Sequence, residues 1–159
     1  MLYTILIIAA IVFVLGLLLK SFLIYKKSTS ITSLKYNLIC DLFVVIVVLS
    51  WFFNMGWLRF IFTFLAAPFV HSIIFIIMIN KAIPYIEKSI KLKRFLFISY
   101  ITYILTYLLL PDGGDTGTMY MFFGLIHNDI ITSISYQLAR ISFVANIIML
   151  ILQIREKRK

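Results

Sequence analysis

Apolar residues run in five long blocks along this chain, separated by short polar breaks. The first, Leu2 to Tyr25, is interrupted only by Lys20. The second runs from Leu38 to about Met55 and the third from Phe60 to Asn80. Between those two, Asn54-Met55-Gly56-Trp57-Leu58-Arg59 offers Asn and Gly for a turn and tryptophan for a membrane–water boundary. The fourth block, Phe95 to Leu110, stops at Pro111, and the fifth, Ile130 to Leu152, runs into the basic tail Arg155-Glu156-Lys157-Arg158-Lys159. A bilayer core of about 30 Å takes about 20 mostly apolar helical residues. The pattern therefore predicts an all-α integral membrane protein, one bundle of five transmembrane helices over residues 2–25, 38–55, 60–80, 95–110 and 130–152. In the first block the charges follow the apolar stretch, the reverse of a cleavable signal peptide, so it reads as a retained anchor with its N-terminus outside.

Composition agrees with the pattern. Of 159 residues, 63% are hydrophobic and 13% charged, and mean hydropathy is +1.07; soluble domains are about 45–50% apolar and about 25% charged. That excludes a soluble enzyme, a disordered tail, a disulfide-rich secreted domain and a collagen-like fibre. Cys40 is the only cysteine, so no intrachain disulfide or paired-thiolate metal site can form.

The net charge of +9 raises nucleic acid as a partner, but the position of the basic residues argues against it. With five spans, three segments share one side. They carry Lys26, Lys27 and Lys35; Lys81, Lys88, Lys91, Lys93 and Arg94; and Arg155, Lys157, Arg158 and Lys159, twelve of the fifteen basic residues. The opposite side holds Arg59 alone, while Lys20 and Arg140 fall inside spans. Such asymmetry is the positive-inside pattern and puts the C-terminus in the cytoplasm. The partner it implies is the lipid bilayer, with a membrane-protein partner or a second copy of the chain as a further possibility. Usage rich in Ile, Lys and Phe points to an AT-rich bacterial genome and so to a bacterial cytoplasmic membrane. The basic segment 81–94, with Ile83, Ile86 and Ile90 around Pro84, reads either as an amphipathic helix on the inner leaflet or as a solvated loop.

Polar groups at membrane depth are costly and mark the first places to look for function. Lys20 and Asp41 fall at similar depth, where they pair or snorkel to the headgroups. Arg140 lies ten residues into the fifth span, and at helical spacing Asp129, Ser133, Tyr136, Gln137 and Arg140 share one face. The fourth span offers Ser99, Thr102, Tyr103 and Thr106 on a face of its own, with Tyr107 at its edge. Two such faces on consecutive helices make either an outward-facing polar cleft between spans four and five or interhelical hydrogen-bonding glue. His71, three residues after Pro68, sits at a depth near Arg140 and is either a functional imidazole or a structural hydrogen-bonder. The cleft candidates are thus Arg140, Gln137, Tyr136, Ser133, Asp129, Tyr103, Thr106 and His71.

The last outer loop opens on Pro111-Asp112-Gly113-Gly114-Asp115-Thr116-Gly117 and closes on His127-Asn128-Asp129. Asp112, Asp115, His127 and Asp129 could hold a divalent cation such as Ca²⁺ or Mg²⁺, although the spacing fits no known metal loop. The alternative is a solvated turn followed by a helix cap at Asn128 or Asp129. No organic cofactor is expected. Between these ends, residues 119–126 are apolar but too short to span, which predicts an interfacial or re-entrant segment.

No paired-histidine metal motif, nucleophile elbow or CxxC is present. The leading expectation is a small non-enzymatic membrane protein acting as a helper, regulatory or immunity-type protein. The alternatives are a membrane-embedded enzyme working on a lipid or envelope precursor at the outer leaflet, and an ion or proton pathway through Asp41, His71 and Arg140.

Overall fold

A computed structural model describes residues 2–27, 31–53, 56–113 and 119–158. About 85% of the chain is helical, with no sheet of note. The order is α1 (Leu2–Lys27), α2 (Ile31–Phe53), α3 (Trp57–Phe64), α4 (Ala67–Ala82), a 3₁₀ segment (Ile83–Lys88), α5 (Ile90–Leu108), the short strands β1 (Asp112–Gly113) and β2 (Met119–Tyr120), and α6 (Asp129–Lys157). Among the described residues three helices are long and apolar enough to cross a membrane: Ile31–Phe52, Ala67–Lys88 and Asp129–Lys157.

The third apolar block is not one helix. α3 ends at Phe64 and α4 restarts at Ala67, with Ala66 between them in the left-handed region at φ 55°. Pro68 is the physical reason. Deep in a continuous helix its ring would strike the carbonyl four residues back, whereas in the first turn of a new helix its missing N–H costs nothing. A left-handed alanine is strained, and glycine is also the better residue ahead of a helix's first turn. Ala66→Gly should therefore raise stability by about 0.5–1 kcal/mol, read as a higher unfolding midpoint in detergent; an unchanged or lower midpoint would show that the break carries no strain.

The other helix ends follow local chemistry. The Asn128 side chain accepts from the N–H groups of Ile130 and Ile131, both at 3.1 Å, so the cap expected at 128–129 is Asn128. Ser89 caps α5 by accepting from the Leu92 N–H at 3.2 Å, which starts that helix five residues before the apolar block does. The basic segment 81–94 is no free loop: it holds the end of α4, the 3₁₀ turn and the start of α5. The turn buries Ile83 and Ile86, and Ile90, the first residue of α5, is exposed.

α5 and α6 form the closest seam. The face that α6 turns inward is Thr132, Ser135, Ala139, Ser142, Asn146, Leu150 and Gln153, mostly small or polar residues that let two backbones approach and bond. α2 packs on α5 with the Phe43 ring edge-on to Tyr100 at 5.7 Å and the Tyr100 hydroxyl donating to the Tyr36 carbonyl at 2.8 Å, and the Phe75 and Tyr103 rings stack at 3.9 Å in the middle of the core. α1 is joined to α2 by the Lys20–Asp41 ion pair at 2.7 Å, with Ser21 donating to the other Asp41 oxygen. Most of its remaining apolar surface is uncovered, Ile8, Val12, Leu15 and Leu19 each being more than half exposed.

Residues 119–126 do not descend along the bundle. β1 and β2 pair antiparallel, Asp112 with Tyr120 and Gly113 with Met119, and Met121 bridges to Ile126 around a tight turn. Phe122, Phe123 and Gly124 all have positive φ in that turn. The Phe122 N–H reaches the Leu108 carbonyl at 3.4 Å, so the segment lies across the end of α5.

Candidate functional site

The first acid of the 111–129 loop is engaged as a helix cap. Asp112 Oδ2 accepts from the N–H groups of Gly56 at 3.1 Å and Arg59 at 2.6 Å, and Oδ1 from Leu58 at 3.1 Å and Gly113 at 2.9 Å. A carboxylate from 53 residues away in sequence thus satisfies the orphan donors at the start of α3 and faces the positive end of its dipole. The approach needs glycine at 56, where any Cβ would land on the Gly113 carbonyl oxygen and within 2.6 Å of Asp112 Oδ1.

Arg59 does the complementary job. It is fully buried, donating from Nη1 to the Ser50 carbonyl at 2.6 Å and from Nη2 to the carbonyls of Tyr107 at 3.0 Å and Leu110 at 2.6 Å. One cation therefore serves carbonyls at the C-terminal ends of both α2 and α5, the negative ends of their dipoles. Its guanidinium also lies over the Trp51 ring at 5.1 Å. Arginine holds its proton throughout the physiological range, so the side chain is a cation at neutral pH. The residue read from sequence as a loop charge is a buried lock, and Asp112 is occupied by four N–H groups instead of being open to a cation.

The remaining cation candidates are scattered. Asp115 lies outside the described residues. His127 is exposed, its ring edge-on to Tyr120 at 4.9 Å, and Asp129 is exposed in the first turn of α6. Among the described residues no three His, Cys, Asp or Glu side chains stand together as a metal site.

A second polar centre joins α4, α5 and α6. His71 Nδ1 is 2.7 Å from the Tyr107 hydroxyl and Nε2 is 3.1 Å from Asn146 Oδ1. Asn146 Nδ2 donates to the Ser99 carbonyl at 2.8 Å and to Thr102 Oγ1 at 3.1 Å. That carbonyl can only accept, so the amide nitrogen must face it and the amide oxygen must face His71. His71 then carries its proton on Nε2 and accepts the Tyr107 hydroxyl at Nδ1. Gln153 extends the column by donating to Ser99 Oγ at 2.6 Å, and Ser72 bonds the Tyr103 hydroxyl at 2.7 Å. Tyr103 is wholly buried by these contacts.

Beside this column opens a cavity of about 400 Å³. It is lined by Trp51 of α2, by Leu58, Phe62 and Ala67 of α3 and α4, by His71, Thr106 and Tyr107 of α4 and α5, and by Tyr136, Arg140, Phe143 and Val144 of α6. The structure thus brings four of the eight cleft candidates (Arg140, Tyr136, Thr106 and His71) to one opening. Ser133, Gln137 and Asp129 are on the exposed side of α6 away from its seam with α5, and Tyr103 is inside the core. The expected gap between spans four and five is closed by the Asn146 and Gln153 bonds, and the opening forms where the α3–α4 break leaves room beside that seam. Arg140 is exposed on its wall, its guanidinium 5.7 Å from the Tyr136 ring and 3.5 Å from Gln137 Oε1.

Sequence reasoning missed Asn146 and the buried state of Arg59. An amide midway along the fifth apolar block was the available signal for Asn146, since the desolvation rule that singles out Arg140 applies to it as well. Compared with protein families, characterised proteins and solved structures, the chain has no match.

Proposed function

We propose that this chain is a multi-pass protein of a bacterial cytoplasmic membrane, crossing the bilayer five times through α1, α2, the broken α3–α4 pair, α5 and α6. In this reading the N-terminus is outside and the C-terminus cytoplasmic. It serves, without chemistry of its own, as a helper, regulatory or immunity-type protein that holds a ligand in an outward-facing cleft. The observation that carries the reading is the cavity walled by α3–α6, apolar along its sides with a charged guanidinium on its wall. Size and lining fit a small-molecule site, for which about 300–1,000 Å³ is usual.

Two further features support the orientation. The start of α5 and the end of α6, both lysine- and arginine-rich, come together, with Ser89 donating to Glu156 at 3.1 Å and Lys157 over the Tyr85 ring at 5.0 Å. At the other end of the bundle Arg59 is buried in carbonyls and adds no free positive charge. A binding role fits better than catalysis because both ring nitrogens of His71 are engaged by Tyr107 and Asn146.

Single cysteines in a Cys40→Ala background test the reading with a membrane-impermeant maleimide added outside cells. Ala67→Cys and Tyr136→Cys, on the cavity wall, should label, while Ile147→Cys, exposed but away from the cavity, should not. Equal labelling of all three, or labelling of the wall positions only from the cytoplasmic side, would overturn it.

A further inference from the structure

The chemistry of the cavity wall narrows what can fill it. Most of its polar groups are already satisfied within the protein. Thr106 donates to the Thr102 carbonyl at 2.7 Å, the Tyr107 hydroxyl is 2.7 Å from His71, and the Trp51 indole donates to Thr63 at 2.6 Å. Such groups offer an incoming molecule little beyond carbon surface. Arg140 is the exception. Among the described residues its one hydrogen bond is the 3.5 Å contact to Gln137, and no acid there forms an ion pair with it. A guanidinium with open donors on an apolar wall is matched by a carboxylate or phosphate, which it can grip through two parallel bonds.

Direction matters as well. Arg140 reaches back over Tyr136 and beside Gln137, the residues one turn toward the N-terminus of α6. In the proposed orientation that is toward the outer surface. Its charge then stands toward the cavity mouth, and Phe143 and Val144 line the wall further along the helix. A molecule filling the site needs its acid near the mouth and its apolar part toward those residues.

We propose that the cleft takes an anionic amphiphile, a carboxylate or phosphate monoester on an apolar chain, its acid held at the mouth by Arg140. The inference rests on the outward-facing cleft and specifies its ligand class. The headgroup can belong to a free amphiphile or to an anionic bilayer lipid, since Arg140 meets the same oxygens in either.

The test uses the full chain in a neutral maltoside detergent, following its thermal unfolding as probes are added. Dodecyl phosphate and dodecanoate should each raise the midpoint saturably, while inorganic phosphate and dodecyltrimethylammonium should not. Arg140→Gln should weaken dodecyl phosphate by about 10–100-fold, the worth of one or two charge-assisted bonds. Arg140→Lys, which keeps the charge but not the fork, should fall between. Ala67→Trp should abolish the response by filling the cavity.

Phosphatidylglycerol shifting the midpoint through Arg140 would support a bilayer lipid as the source. A response limited to the single-chain probes would support a free amphiphile. Equal response to dodecyltrimethylammonium, or an unchanged affinity in Arg140→Gln, would overturn the anion while leaving the cleft intact if Ala67→Trp still blocks. A response to inorganic phosphate alone would remove the apolar half of the proposal. Indifference of every probe to Ala67→Trp would overturn the cleft itself.

Discussion

Arg59→Met should destabilise the protein by about 3–5 kcal/mol, the range for breaking a buried charged network by removing one member. Methionine keeps much of the volume but leaves the carbonyls of Ser50, Tyr107 and Leu110 without their donor. It also removes the cation over Trp51 and the charge beside Asp112. Asp112→Asn should cost less, about 1–3 kcal/mol, since the amide still accepts from some of the same N–H groups through its single oxygen. The two residues cap different helices but share one junction, so the double variant should deviate from additivity by about 0.5 kcal/mol or more. Reversible unfolding in mixed micelles of maltoside and sodium dodecyl sulfate measures all three. An Arg59→Met loss below about 1 kcal/mol, the level of an exposed ion pair, would mean that water replaces the guanidinium and that this end of the bundle is open.

The second large effect belongs to the His71 column. Asn146→Leu removes the acceptor for His71 Nε2 and the donor to the Ser99 carbonyl; His71→Phe strands the Tyr107 hydroxyl and Asn146 Oδ1 together. Each should cost about 1–3 kcal/mol for the buried groups left unpaired. Because the two substitutions strand overlapping groups, the double variant should cost less than the sum by about 0.5–3 kcal/mol. Strict additivity would show that His71 and Asn146 do not share a bond. Asn146→Asp is a sharper probe, because it keeps the oxygen toward His71 and replaces the amide donor that Ser99 requires. It should be as harmful as Asn146→Leu if the tautomer assigned to His71 is right.

These two clusters also show where sequence reading reaches and where it stops. Asn128 was legible as a cap because the N–H groups it serves lie two and three residues away, within the span of a local rule. Lys20 and Asp41 were legible as charges at similar depth, to pair or to snorkel, because each lies near the same end of its apolar block; the structure pairs them. Pro68 stands in the third apolar block, but only the structure shows that the chain answers it with a break at Ala66 and not with a kink in a continuous helix. By contrast, the stripe Asp129, Ser133, Tyr136, Gln137 and Arg140 was correctly read as one face of α6. Nothing in its spacing reveals that α5 packs against a different face, the one built from Ala139, Ser142 and Asn146. A helix that is apolar nearly all round has no strong stripe to set its rotation, and its neighbours decide it.

What the amino-acid order determined by itself is the all-helical character, the apolar blocks long enough to cross a bilayer, and the collection of basic charge into three segments. Each follows from hydropathy and local backbone chemistry, which act over one turn or one block. Only the tertiary structure decided that Arg59 and Asp112 lock opposite ends of different helices, that His71 is held by Tyr107 and Asn146, and that the cavity opens at the α3–α4 break. Those are contacts between residues 36 to 75 positions apart. They exist because buried donors and acceptors must find partners wherever the packed helices happen to bring them.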